Sequence, residues 1–432
     1  MTTQQRFERE LPALLEDLYL GPTPDYRHEV LAKAVRARQR PAWTFPGRWL
    51  PMDITTRTIP VARLPLRQFA ILALLVALLA AALAAYVGSQ RRIPAPFGPA
   101  RNGVIPYIAD GNIYVGDPVT GKTRMLVSSP RGTNPSAPGF SPDGTRMAFF
   151  RDVQSGPLVD QVPVDMYVVR DDGSDLRRIT ESPFKKVVWA TWTPDGRSLA
   201  VIHTEDGVNQ LDLLDPDGKR APLRLDAAAG ADSIQFRPPD GKEMLFRALV
   251  DRKYGLFAMN LDGTNKRTIE EPTVPLDLDQ HLNYLAYTAD GARILYQSAV
   301  PVEHPDGCCQ LWVMNADGSD RHRFVHDPGA GWEGEAVVSP DGRWVAFNSV
   351  IDGRSTQRVA VVRADGTGPV IRTGPELTSI AHWVWSPDST KILMMPDEGG
   401  TGSGYLLDPF GGPATSLPWK SDLDIDWQRT AP

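Results

Sequence analysis

Phe140-Ser141-Pro142-Asp143-Gly144-Thr145-Arg146-Met147-Ala148-Phe149-Phe150 is the stretch that decides the fold. An aromatic strand residue leads into Pro-Asp-Gly. Proline presets φ, aspartate bonds its own backbone and glycine accepts positive φ, which together make a tight turn. An alternating apolar strand, Met147-Ala148-Phe149, follows. The same grammar returns as WTPDGRSLAVI from Trp192, FRPPDGKEMLF from Phe236, YTADGARILYQ from Tyr287, VSPDGRWVAFN from Val338 and WSPDSTKILMM from Trp385. The turn aspartates Asp143, Asp195, Asp240, Asp290, Asp341 and Asp388 are spaced 52, 45, 50, 51 and 47 residues apart. A period near fifty belongs to propeller blades of four strands each.

A second signature falls between these copies: MYVVRDDGSDLRRIT, LDLLDPDGKRAPLRL, LFAMNLDGTNKRTI, LWVMNADGSDRHRF and VAVVRADGTGPVIRT, with GYLLDPFGGPATSLP as a degenerate sixth. Each reads as strand, hairpin turn, strand. Neither set of aspartates has the D-x-[DN]-x-[DN]-G-x5-E order of an EF-hand, so turn chemistry is the reading and no metal site is expected. At the front, residues 103–129 supply three strands with no aromatic-Pro-Asp-Gly strand before them. At the back, Ile425-Asp426-Trp427 is a strand left over. Pairing the two makes a seventh blade and removes the sheet edges that would otherwise invite association. Six blades is the alternative, if either end packs elsewhere.

The aromatic-Ser-Pro-Asp-Gly-x-x-apolar-Ala-Phe unit resembles the repeats of TolB-type, WD-repeat-like β-propellers over about 330 of the 432 residues. The resemblance implies a disc with a central channel and two loop-bearing faces that bind peptides, proteins or small ligands. It implies no single activity.

Outside the repeat, Phe69 to Val87 reads FAILALLVALLAAALAAYV, without charge or proline. About 20 such residues cross a bilayer core. Arg67 flanks it on one side, Arg91 and Arg92 on the other. The division expected is a helical segment over 1–66, a transmembrane helix over 67–88, a Pro/Gly-rich linker over 89–102 and an all-β propeller over 103–432. Residues 1–68 carry 11 Lys+Arg against 7 Asp+Glu, and 103–432 carry 32 against 45. A short basic N-terminus is expected in the cytoplasm, with the propeller outside the plasma (inner) membrane. An acidic propeller argues against nucleic acid as a partner.

Within the first segment, Phe7, Leu11, Leu14 and Leu18 share one helical face, and Tyr26, Val30 and Leu31 share another. Two short amphipathic helices bury little by themselves, so these residues are candidates for binding a protein partner. The layout resembles bacterial single-pass anti-sigma factors and sensors, which implies a cytoplasmic partner such as a sigma factor. The chain lacks their His-x-x-x-Cys-x-x-Cys element, since its two cysteines are Cys308 and Cys309. Adjacent cysteines are either two small side chains or a vicinal redox pair.

No catalytic set is apparent. There is no G-x-S-x-G and no room after the last blade for a hydrolase domain. His322 and His326 lie four apart on an expected strand, and His281, His304 and His382 are candidates to face the channel. The expectation is a non-enzymatic, cofactor-free, membrane-anchored signalling or regulatory protein. The alternative is a TolB-like envelope binding scaffold whose N-terminal part is only an anchor.

Overall fold

The computed structural model describes residues 72–76, 94–152, 162–275, 283–298, 309–325, 330–351, 356–397, 402–421 and 425–431. The chain divides into two compact units, 1–86 and 87–432. Of the first, only Leu72–Val76 is described, a helical stretch with its leucines and valine exposed. The faces expected at Phe7, Leu11, Leu14, Leu18, Tyr26, Val30 and Leu31 lie outside the described residues, as does most of the apolar stretch 69–87. Among the described residues no helix is long and apolar enough to cross a membrane.

The second unit is a seven-bladed β-propeller. Six sheets have four strands each, in sequential antiparallel order. Blades 1 to 6 span 135–178, 187–224, 231–275, 283–323, 330–377 and 380–421. In every one, a copy of the repeated turn forms the hairpin between first and second strands, as its chemistry requires. Blade 7 has three strands, Ile105–Ala109, Asn112–Gly116 and Thr123–Val127. The two chain ends pair beside them: Arg101 opposes Thr430 and Asn102 opposes Arg429. Gly103 N donates to Gln428 O at 2.9 Å, and Gln428 N to Val104 O at 3.0 Å. The C-terminus thus supplies the missing first strand, with its ladder on 428–430 rather than on 425–427. The propeller boundary drawn at residue 103 falls inside this ladder.

Closure is also visible in the packing. Seven apolar clusters are shared by successive blades, one per blade-to-blade interface. Two of them flank blade 7. Ile108, Ile113 and Val115 pack on Phe140, Met147 and Phe149 of blade 1. Ile105, Tyr107 and Trp427 pack with Leu393, Leu417 and Trp419 of blade 6. Tyr107 stacks between Tyr114 and Trp419, with centroids at 5.4 and 5.2 Å. Sheets whose two faces are both covered this way carry nearly continuous apolar strands, as in Ile392–Pro396.

The hairpins also touch around the ring. Gly144 of blade 1, at φ +69°, abuts the Arg429 carbonyl of blade 7, and no side chain fits between them. In blade 6 a serine replaces the glycine. Ser389 sits at φ +64°, and its hydroxyl accepts a hydrogen bond from Asp341 N of blade 5 at 3.0 Å.

Candidate functional site

The six turn aspartates are structural. Asp143 Oδ1 accepts from the Ser141 hydroxyl at 2.5 Å and from Thr145 N at 3.1 Å. Thr193 and Arg197 treat Asp195 in the same way, Thr288 and Ala292 treat Asp290, Ser339 and Arg343 treat Asp341, and Ser386 and Thr390 treat Asp388. Asp240, in the Pro-Pro variant, accepts from Lys242 N at 3.2 Å. Burial opposes ionisation of Asp143, yet its hydroxyl and amide bonds outweigh that and lower its pKa. These carboxylates cap their own turns. Among the described residues no group of three or more His, Cys, Asp or Glu side chains is arranged to hold a metal.

The concave feature is the channel. A cavity of about 1060 Å³ runs along the first strands of blades 1, 2 and 6 and the C-terminal segment, and reaches into the seam between blades 1 and 2. Its position follows from the fold: first strands are innermost, and their tight turns all lie on one face. The residues of each first strand farthest from its turn mark the opposite mouth. Lys185 and Lys186 precede the strand Val187–Trp192 and are exposed there. Trp189, 40% exposed, stands mid-strand in the channel. His382 and Trp383 line the wall from blade 6. Phe150, Val164 and Met166 form the apolar seam.

At the turn-face end the polar groups are already engaged. Asp426 Oδ2 accepts from Phe140 N at 2.6 Å. Burial raises the pKa of Asp426, against the backbone amides and Arg429 that lower it. Burial likewise lowers the pKa of Arg429, whose Nη2 donates to Ala95 O at 2.8 Å and Gly98 O at 2.7 Å.

Glu335, at φ +54° in an irregular first strand of blade 5, is a further inner-strand acid. Burial lifts its carboxyl to about 7, partly offset by a hydrogen bond with Tyr284 of blade 4. Elsewhere, His203, Asp212 and Arg224 form a linked set in blade 2. His203 Nε2 lies 2.8 Å from Asp212 Oδ2, and Arg224 Nε donates to Asp212 Oδ1 at 3.0 Å. Burial opposes the charge on Asp212, but these bonds prevail and hold it at about 2. The set joins three strands of one sheet and does not line the cavity.

Of the histidines singled out from sequence, His382 lies in the channel wall and His322 is exposed beside Asp320. His281, His304 and His326 lie outside the described residues. Cys309 is buried and disulfide-bonded; Cys308 lies outside the described residues. Sequence reasoning missed Trp189, Lys185, Lys186, Asp426 and Arg429. Trp189 stands six residues before Asp195, the same offset as Ala137, Tyr284, Glu335 and His382 from their own turn aspartates. That offset marks inner-strand positions, and it was readable from the repeat.

No family model matches the chain. An uncharacterized protein of Agrobacterium fabrum is 26% identical over 275 residues, covering 55% of this chain and 85% of that protein. The β-propeller domain of the Trilobed protease from Pyrococcus furiosus, described as having an open velcro topology, superposes with a TM-score of 0.52 at 14% identity, covering 75% of this chain and 98% of that one. Oligogalacturonate lyase from Vibrio parahaemolyticus gives 0.52 at 14%, covering 74% and 86%. TolB from Acinetobacter baumannii gives 0.49 at 18%, covering 75% and 81%. The two scores above one half establish the propeller fold and nothing about activity.

Proposed function

We propose that the protein is a membrane-anchored, TolB-like binding scaffold, whose propeller holds a partner protein in its channel without chemical turnover. The observation that carries this reading is the channel. It is roomy and lined by aromatic and aliphatic groups, with cations at one mouth, and the carboxylate and guanidinium at its other end are occupied in holding the chain's own termini. Apolar walls with few polar groups favour binding. The stretch 69–87 is the anchor, with residues 1–66 in the cytoplasm and the propeller outside the plasma membrane. A photo-crosslinking residue in place of Trp189 should trap a defined partner in intact cells, whereas the same residue in place of Val119, 90% exposed on a hairpin of blade 7, should not. Equal trapping at both positions, or none at Trp189, would sink the scaffold reading.

The likeness to a lyase is one of fold at 14% identity. Incubation with oligogalacturonate should therefore produce no rise in the ultraviolet absorbance of unsaturated product. A catalytic rise would overturn the non-enzymatic part. A second reading, signalling to a cytoplasmic regulator such as a sigma factor, is favoured by the two apolar faces at Phe7/Leu11/Leu14/Leu18 and Tyr26/Val30/Leu31. Replacing Leu14 and Leu18 by Asp separates the two readings. Loss of a cytoplasmic partner with the propeller's partner retained supports signalling; no change leaves the N-terminus an anchor.

A further inference from the structure

The segment that leads into the propeller crosses the turn face. Ala100 N donates to Pro387 O, in the blade 6 turn, at 2.9 Å. Arg429 holds the carbonyls of Ala95 and Gly98. Pro96 lines the channel cavity together with Pro142 of the blade 1 turn. Farther along, the edge of the Phe97 ring lies 3.3 Å from where a side chain on Gly241 would begin, in the blade 3 turn. Blades 3 and 6 stand on opposite sides of a seven-membered ring. Seven residues therefore reach from one side of the mouth to the other, tied at Pro387 and Arg429 and seated at Gly241.

We propose that Pro94–Ala100 is a strap that closes the channel at the turn face and makes it a blind pocket. This rests on reading the channel as the binding site, and it narrows what can bind there. A polymer cannot be threaded through; the occupant is the end of a partner chain, entering from the opposite face past Lys185 and Lys186. Those two cations and the apolar wall behind them suit an apolar end bearing a negative charge, such as a chain terminus with its carboxylate. The strap also continues directly into 89–93, so a pull on that stretch acts on the pocket floor.

Thiol labelling of the full chain in detergent tests the strap without any ligand. The one buried cysteine described is already in a disulfide, so an introduced thiol is read under non-reducing conditions. Pro96→Cys faces the cavity, Ala95→Cys is an exposed position on the same strap, and Lys186→Cys stands at the open mouth. A maleimide carrying a long polyethylene glycol chain should label the Ala95 and Lys186 variants readily. The Pro96 variant should react at least about tenfold more slowly, corresponding to a strap open less than a tenth of the time. Adding Arg429→Ala should remove that protection, and unchanged melting of Pro96→Cys alone shows that the ring is intact. If Pro96→Cys reacts with the bulky reagent as fast as Ala95→Cys, or stays protected after Arg429→Ala, the strap is not what closes the channel. Trapping at Trp189 with a failed labelling test would leave the binding reading standing and remove the blind end.

Discussion

Replacing Trp427 by Ala is the sharpest probe of ring closure. Its side chain is 4% exposed and lies among Ile105, Tyr107, Leu393, Leu417 and Trp419, and its indole Nε1 donates to Gly103 O at 3.1 Å. A buried tryptophan removes roughly 150–250 Å² from water, worth about 4–6 kcal/mol at about 25 cal/mol per Å². The alanine keeps a small part of that, so the expected cost is about 3–5 kcal/mol, the range of Trp→Ala changes in cores. For a domain this large, about 2 °C per kcal/mol applies, and the melting temperature should fall by about 6–10 °C. Trp427→Phe keeps the ring and loses the hydrogen bond, for about 1 kcal/mol. Differential scanning calorimetry of the full chain in detergent reads both. The alanine variant should also associate through the freed edge at 101–109, visible as larger species in light scattering. A Trp427→Ala protein that melts within about 1 °C of wild type and stays monodisperse would refute closure by the C-terminus.

Acid should destabilise the propeller through Asp212. Its folded pKa of about 2 is below its ordinary value, so its contribution is full above about pH 4 and is lost as pH falls towards 2; Asp212→Asn should flatten the melting profile over that window. Glu335 acts in the opposite sense. Its folded pKa of about 7 exceeds its ordinary value, so stability declines from about pH 4.5 to 7 as the pH rises, and Glu335→Gln should melt higher than wild type at about pH 8 but not at pH 4. Protease added to intact spheroplasts should degrade the propeller and spare residues 1–66; the reverse pattern would invert the proposed topology.

The sequence by itself determined the architecture, because propeller blades are local objects. Each is four consecutive antiparallel strands joined by tight turns, and turn chemistry and strand alternation are properties of neighbouring residues. Six copies of the aromatic-Pro-Asp-Gly unit set the period, and the unmatched strands at the two ends set the seventh blade. The role of the turn aspartates was legible too, since an aspartate bonding the amide two residues on needs no distant partner. The tertiary structure alone decided what lies across the ring. Trp189 and His382 share a cavity because blades 2 and 6 face one axis, although 193 residues separate them in sequence. Asp426 and Arg429 read as part of an ordinary C-terminal tail, yet one is held by Phe140 N and the other holds Ala95 and Gly98. Residues 94–100 read as a linker because proline and glycine break regular structure. Their place on the turn face depends on carbonyl groups, which every residue carries and no sequence pattern marks. Long-range backbone contacts of this kind become definite only when the ring closes and brings the chain's two ends to the same mouth.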